Sequence, residues 1–495
     1  MPAYYLEILI LLLGFTMLGI EAFSSNRSRS GIAVLGISGL FVVLSFLIFA
    51  VPSAESSYDY WGIYHVDKWA LFYKAIAILT TLLVLVLAKD FSPAFKKYTS
   101  QSNESSGIGE YYCLPIFVCA GLMWMASAKD LITIFVSLEL VTIGFYVLVS
   151  FMRRNVGSLE AGVKYLVLGA LSTGFLVYGI AWTFGVTGQF DLSEIAKVLN
   201  SGEIEKKSII FAFALLMVGL GFKVAAVPFH IWVPDVYQGT SMPITAFLSV
   251  GSKAAGFIVL LRVVEPFINS PLTSSSVILI LSFLICVTLL FGNLIAIKQT
   301  NVKRLLAYSS IAHAGFLMMA LPAMESGFLS KLSGPSPMDS ISFYLAGYLL
   351  MTMLCFSVIT IVSSLTDGEN IDDLRGLGSR SPLLAFAMLV GVASLAGIPL
   401  TVGFFGKFLL FNIAIQYAVF SGSWYIVTFA VLGASAGFYY YFKIIRAMYW
   451  GGSEQGRDQV VLTVSTLSRV VIIALLAGVI LCGIFPKMIL GFLQQ

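Results

Sequence analysis

Five charged side chains fall within long apolar stretches of this chain: Glu139 in FVSLELVTIGFY, Lys164 in EAGVKYLVLGA, Lys223 in GLGFKVAAVPFHIW, Lys253 in FLSVGSKAAGF and Lys407 in SLAGIPLTVGFFGKF. Two histidines, His230 and His313, lie in or beside such stretches. Burial in a low dielectric disfavours a charge, and a nearby opposite charge restores it. One buried lysine facing one carboxylate could be a structural pair. Lys223, Lys253 and Lys407 outnumber the single obvious carboxylate, Glu139, so some of them must be neutral or in contact with water. That composition suits a proton relay. If Glu139 approaches Lys223, the ammonium keeps its proton; if the carboxylate withdraws, the proton can pass to Lys253 through ordered water. His230 and His313 could bridge such a relay, because imidazole titrates near neutrality, although a lone histidine is more often a packing or hydrogen-bonding residue. Lys164 stands four residues from Glu160, so these two can simply pair on one helix face. Lys303 and Arg304 read as interfacial anchors, and the many Phe, Tyr and Met residues as lipid-facing or core packing.

The elements that must position these groups follow from composition. The 495 residues are 59% hydrophobic and 11% charged, against roughly 25% charged in a soluble domain. A bilayer core takes about 20 apolar residues per crossing. Spans are predicted at 3–21, 31–50, 69–88, 111–127, 129–151, 161–184, 208–230, 241–262, 273–295, 302–322, 340–363, 383–413, 424–448 and 470–491, an all-α integral membrane protein of about fourteen helices. The longest polar insertions, 89–110, 186–207, 364–382 and 451–468, are too short for a separate soluble domain, so residues 1–495 form one membrane domain. A charge at the centre of such a helix costs roughly 2.5 to 3.5 kcal/mol on insertion scales, and so calls for a partner, a water-filled cavity or a function.

Other classes are excluded. The formal charge of +4 is scattered over short loops, with no basic stripe to follow a phosphate backbone, so nucleic acid is not a partner. The five cysteines, Cys113, Cys119, Cys286, Cys355 and Cys482, lack CxxC or Cys/His spacing, which indicates neither a disulfide framework nor a metal site. The first span carries Glu7 and has no basic flank or clear cleavage site, so it is expected to be retained. Loops after odd-numbered spans hold Arg27, Arg29, Lys89, Lys96, Lys97, Arg153, Arg154, Lys298, Lys303, Arg304, Arg375, Arg380, Lys443, Arg446, Arg457 and Arg469, while the second loop, with Glu55, Asp59 and Asp67, is acidic. Lysine and arginine mark the cytoplasmic side, so both termini are expected to be periplasmic. The loop around Pro234 to Ser241 departs locally, having no basic residue.

The seventh span, with Pro228, and the twelfth, with Gly397, Pro399, Gly403 and Gly406, read as broken helices. Paired interruptions in corresponding places point to a transport site built from inverted repeats, here five-helix units of helices 4–8 and 9–13; ordinary kinks are the alternative. The organisation expected is an N-terminal region of helices 1–3 over residues 1–110, repeats over 111–262 and 273–448, and a C-terminal helix in 469–495.

The runs SLEAGVKYLVLGALSTG, GLGFKVAAVPFHIWVPDVYQGTSMPITAFLSVGSKAAGF, NVKRLLAYSSIAHAGF and SLAGIPLTVGFFGKF resemble the antiporter-like N subunits of proton-pumping NADH:quinone oxidoreductase, respiratory complex I, along essentially the whole chain. Lys407 stands where the M-type paralogue typically has Glu. The resemblance implies a subunit that moves protons and holds no cofactor, with FMN, iron-sulfur clusters and the quinone site in partner subunits. It implies neighbours that include an M-type subunit and small membrane subunits, in a bacterial inner membrane. It also implies that Glu139 pairs with Lys223, that Lys253 is the central relay, that Lys407 faces the exit side, and that Lys164 belongs to the charged group around Glu139. Helix 10 offers His313 and no carboxylate matching Glu139. The alternatives are a cation/proton antiporter or membrane-bound hydrogenase subunit of the same fold, and a structural membrane anchor.

Overall fold

Long apolar stretches fold as helices in a bilayer because only then are their backbone polar groups satisfied internally. The structure, a computed structural model, describes residues 2–23, 30–51, 58–99, 108–202, 204–366, 368–450 and 464–494. Arg27, Arg29, Glu55 and Arg457, used above for orientation, lie outside the described residues. Helices α1 (Tyr5–Phe23) and α2 (Ser30–Phe49) lead to a short hairpin, β1 (Tyr58–Tyr60) and β2 (Tyr64–Val66), which the helical reading missed, and then to α3 (Lys68–Thr99). The next group is α4 (Ile108–Ser127), α5 (Leu131–Val149), α6 (Val156–Thr187), the amphipathic α7 (Leu192–Ser201), α8 (Lys206–Val224), α9 (Trp232–Gly239), α10 (Met242–Phe247) and α11 (Lys253–Ile268). A π-helical turn, Leu248–Ser252, joins α10 to α11. There follow α12 (Ser274–Ile297), α13 (Val302–Met318), α14 (Ser326–Leu329), α15 (Pro337–Thr366), α16 (Leu377–Arg380), α17 (Pro382–Ala396), α18 (Val402–Ser421) and α19 (Trp424–Trp450). Helices α20 (Thr466–Ile484) and α21 (Lys487–Gln494) close the described chain.

Among the described residues, fourteen segments are long and apolar enough to cross a membrane, the α10–α11 unit counting as one. That unit is wholly enclosed by protein, and α13, α3 and α15 nearly so, whereas α20 and α1 expose most of their surface. The α10–α11 unit, α13, α3 and α15 are therefore the inner elements, and α3 packs against α4, α10 and α15. The seventh span is shorter than read: it stops at Val224, and residues 225–231 separate it from α9. The twelfth is two helices, α17 and α18, separated at 397–401.

Loop contacts define two faces. On one, Tyr64 bridges Ala128 and Asp130 bridges Asp191, tying the hairpin, the α4–α5 turn and the start of α7 together. The Tyr4 ring lies 5.1 Å from Tyr60, and Lys68 Nζ donates to the Leu493 carbonyl at 2.5 Å, so both ends of the described chain sit on this hairpin face. On the other, Asn301 bridges Asn370 and Lys443 donates to the Gln299 carbonyl at 2.9 Å.

The hairpin face is clipped by Lys129, which reaches Asp59 at 3.0 Å and Asp191 at 3.2 Å. Burial alone would raise both carboxyls, but hydrogen bonds from His65 and Lys129 to Asp59, and from Ser193 and Lys129 to Asp191, hold each below its ordinary value. Hydrogen bonding to Asp59, then to Asp191, holds the Lys129 ammonium above its ordinary value in spite of partial desolvation. Stabilisation from the lowered carboxyls is present above pH about 4 and lost as pH falls through their folded values; that from Lys129 is full below about 10.5 and lost as pH rises past its folded value. Asp191→Asn keeps the side-chain oxygen that caps α7 but removes the charge. It should lower the thermal midpoint in detergent at pH 7 by an amount reflecting no more than about 1 kcal/mol, and that difference should shrink as pH is taken below about 4.

Candidate functional site

The break after α8 begins at Ala225, whose φ of 66° leaves the helical region. Pro228 brings no backbone donor. The groups freed there find side-chain partners: Val227 N–H donates to Thr288 Oγ1 at 2.9 Å, and the Trp232 indole N–H donates to the Phe222 carbonyl at 3.1 Å. Lys223 is thereby left in the last turn of α8 with its own carbonyl neighbours already served. Its ammonium donates to the hydroxyl of Thr142 on α5, which in turn donates to the Leu138 carbonyl at 2.6 Å.

Glu139 lies one turn before Thr142 and is partly buried. Thr173 of α6 donates to its Oε1 at 2.8 Å. Among the described residues Glu139 makes no ion pair, so the direct Glu139–Lys223 contact implied by the motif is not closed in this arrangement. The reason is local: Thr142 and Thr173 supply each charged group with a separate hydroxyl partner.

Lys253 opens α11 directly after the π-helical turn, an irregularity found often at functional sites. It is 2% exposed, and its ammonium donates to both the carbonyl and the hydroxyl of Ser310 on α13. Ser310 also lies 3.4 Å from the Tyr237 hydroxyl. One turn along α13, His313 has Nδ1 at 2.5 Å from the Tyr344 hydroxyl and Nε2 at 3.0 Å from that of Tyr441. Tyr348 lies between the two stations: its ring centroid is 5.3 Å from Lys253 Nζ and 5.3 Å from the His313 ring. Tyr237, Tyr344, Tyr348 and Tyr441 are buried in the core, as their reading as packing expects, and in addition make contacts to Ser310, Lys253 and His313 that the sequence did not show. They were missed because a tyrosine hydroxyl shows its partner only after helices pack.

Lys407, on α18, donates to the carbonyls of Leu395 and Ala396 at 2.9 Å each. These are last-turn carbonyls of α17, unsatisfied within the helix and carrying the partial negative charge of its C-terminus. The Phe316 ring sits 5.0 Å from Lys407 Nζ and 6.3 Å from the His313 ring, so it neighbours both.

Two of the sequence-derived residues stand apart. No hydrogen bond joins the His230 ring to Glu139, Lys223 or Lys253 among the described residues, and its buried Nδ1 has no partner. Lys164 does pair with Glu160, at 2.6 Å, but also with Asp235 at 2.8 Å, which Arg304 reaches at 2.7 Å. This cluster is not the surroundings of Glu139: Thr173, which holds Glu139, lies nine residues further along α6, about 13 Å at 1.5 Å per residue. Lys303 is no simple anchor either, being 3% exposed, 2.6 Å from Glu369 and 2.9 Å from the Thr240 carbonyl. These groups line a polar cavity of about 630 Å³ opening on the face opposite the hairpin. The Pro234–Ser241 segment without basic residues is answered there by Lys303 and Arg304, supplied from the first turn of α13.

The family model described as NADH:quinone oxidoreductase/Mrp antiporter, TM matches residues 128–435, more than half of the chain. The chain belongs to this family. It is 37% identical over 491 residues to NADH-quinone oxidoreductase subunit N of Trichlorobacter lovleyi, which covers 99% of this chain and 95% of the relative. A chain of respiratory complex I from Thermus thermophilus is similar at 29% identity and a TM-score of 0.78, covering 98% of each chain. A chain of an archaeal membrane-bound sulfane sulfur reductase shares the fold at 23% identity and a TM-score of 0.83, covering 99% of this chain and 95% of that one. The resemblance read from the motifs therefore extends over almost all of this NADH:quinone oxidoreductase/Mrp family member.

In this family member the second break depends on Gly403. A Cβ there would stand 1.9 Å from the Ser394 carbonyl oxygen, while its N–H donates to Ser394 Oγ at 3.1 Å. Gly403→Ala should open the α17–α18 junction and destabilise the protein by about 1–3 kcal/mol or more. Gly174→Ala, where a Cβ meets nothing within 4 Å, should be neutral or mildly stabilising. Thermal midpoints of the two variants in detergent compare them directly.

Proposed function

We propose that this chain is the N-type, proton-translocating membrane subunit of a redox-driven NADH:quinone oxidoreductase, and that the line from Glu139 through Lys223, Lys253 and His313 to Lys407 carries the protons. The observation that bears most weight is that Lys223, Lys253 and Lys407 are all buried, yet none pairs with a carboxylate among the described residues. Each ammonium is held by hydroxyl or carbonyl oxygens alone. Such groups compensate a buried charge only in part, so each lysine is poised to lose its proton and to take one up.

The residues divide the work as follows. Movement of Glu139 from Thr173 towards Lys223 favours the charged lysine, and its return favours release. A released proton reaches Lys253 across a gap that water must fill, because no hydrogen bond links the two lysines. Lys253 hands on through Ser310 towards His313. That ring, set between two tyrosine hydroxyls, can accept at one nitrogen while donating from the other. No hydrogen bond joins His313 to Lys407 among the described residues, so passage to Lys407 beside the Phe316 ring requires water. Lys164 lines the large polar cavity, and neither it nor His230 is placed on this line.

Electron transfer, with FMN, iron-sulfur clusters and quinone, is assigned to other subunits, and the partners are an M-type antiporter-like subunit and small membrane subunits. The membrane is a bacterial inner membrane, with the hairpin face, and hence both termini, periplasmic. Residues 111–262 and 273–448 are the two inverted repeats. Full-length identity to a subunit N supports this assignment over an antiporter or hydrogenase subunit; copurification of flavin and iron-sulfur proteins checks it.

Quinone-dependent proton pumping in membrane vesicles tests the line. Lys223→Ala and Lys253→Met should each leave the complex assembled and lose most of the pumping. Thr142→Val should impair pumping and Thr142→Ser should restore it, because the hydroxyl and not the volume is what Lys223 uses. Unchanged pumping with Lys223→Ala would leave a structural anchor as the better description.

A further inference from the structure

A second set of membrane-embedded charges lies outside this line. Lys74 on α3 and Glu7 on α1 form an ion pair at 2.8 Å, with side chains 0% and 4% exposed. Tyr64 of β2 closes the set: Lys74 donates to its hydroxyl, and the hydroxyl donates to Glu7 Oε1 at 2.9 Å. The other carboxylate oxygen, Glu7 Oε2, is buried with no hydrogen-bond partner. Burial, then the Glu7 carboxylate, push the Tyr64 phenol well above its ordinary value, so it stays a neutral hydroxyl that accepts from one neighbour and donates to the other.

A clip between α1 and α3 does not require this chemistry. Replacing a buried ion pair by apolar side chains of similar volume is often neutral or stabilising, and the other buried residues of α1, Leu6, Ile10, Gly14 and Met17, are apolar. An ion pair with an unserved oxygen is an expensive fastener. It is, however, a good proton store, because one oxygen is open to an incoming proton while the other already has its donors.

The set adjoins a cavity through the backbone of Tyr64. Tyr64 is bridged to Ala128, whose carbonyl accepts from Arg262 at 3.3 Å. Arg262 is paired with Asp67 at 3.1 Å, and Asp67 lies 3.7 Å from His65 Nε2. Along a strand, successive side chains point to opposite sides, so His65 turns away from Tyr64. His65, Asp67, Arg262 and Glu265 line a cavity of about 430 Å³ on the hairpin face.

We infer that Glu7, Tyr64 and Lys74 form an additional proton-holding station that exchanges protons with the cavity of the hairpin face, apart from the Lys223–Lys253–Lys407 line. This rests on the proton-translocating reading above. A proton arriving at Glu7 Oε2 gives a carboxylic acid beside the Lys74 ammonium. Lys74 then gives up its proton to water of the cavity, the Tyr64 hydroxyl passes its own proton to Lys74 and takes that of Glu7, and the ion pair is restored. One proton enters, one leaves, and no group changes overall.

The test measures proton pumping per assembled complex in vesicles for Glu7→Gln, Tyr64→Phe and the double substitution Glu7→Leu with Lys74→Met. The station predicts loss of pumping in the double variant although the complex assembles, and a loss in Tyr64→Phe, which removes only a hydroxyl. Full pumping in the double variant would overturn the inference and leave a structural clip. Should the double variant fail to assemble, Tyr64→Phe and Glu7→Gln decide in the same two directions. Lys253→Met run alongside separates the two readings: normal pumping there counts against the central line, whereas its loss with full pumping in the Glu7 and Tyr64 variants counts against the station alone.

Discussion

Inside hydrocarbon a backbone N–H or C=O without a partner is costly enough that irregular backbone survives only where protein supplies one. This protein interrupts two of its spans, and much of the interior follows from how those interruptions are served. After α8 the donors and acceptors are met by Thr288 and Trp232, which leaves Lys223 free to reach across to α5. After α17 the Gly397 and Ile398 N–H groups turn back onto Ala393, Ser394 holds Gly403, and Lys407 itself takes the last carbonyls. The two lysines are therefore unlike. Lys223 rests on a side-chain hydroxyl that can rotate, whereas Lys407 caps a helix, where its charge meets the partial negative charge of the helix end.

Charge is sorted by depth. Near the face opposite the hairpin, the charges around the large polar cavity come in pairs or chains: Glu160, Lys164, Asp235 and Arg304, and beside them Lys303 with Glu369. On the hairpin face Lys129 is shared between two carboxylates. Between these faces, among the described residues, Lys223 on α8, Lys253 on α11 and Lys407 on α18 stand without carboxylates, whereas Lys74 on α3 is paired with Glu7. Paired charges near water tolerate solvent exchange and fix loops; those in the middle need partner oxygens or a water-filled cavity. Enclosure of the α10–α11 unit and α13 by the outer helices supplies the low dielectric that makes this distinction matter.

How much of this was legible in the residues themselves varies with distance along the chain. Span number and the two interruptions were readable, because a 20-residue apolar run and a Pro or Gly within it act locally. Glu139, Lys223, Lys253 and Lys407 were readable for the same reason, since a charge in an apolar helix stands out wherever it points. Lys74 carried the same signal in the third span and was passed over, and Thr142, three residues after Glu139, was visible as a hydroxyl one turn away.

The tertiary structure alone decided which of these groups meet. It placed Lys164 with Asp235 and Arg304 instead of near Glu139, gave Lys223 to Thr142, set His313 between two tyrosines, and closed Tyr64 onto the Glu7–Lys74 pair. The π-helical turn before Lys253 and the hairpin before α3 were equally invisible. The physical reason is that spacing along one helix is fixed by its 3.6-residue period, whereas the rotation and height of one helix against another depend on side chains distant in sequence packing together. The sequence by itself determined what charges this membrane domain must accommodate; only the packed fold decided which oxygen each of them would face.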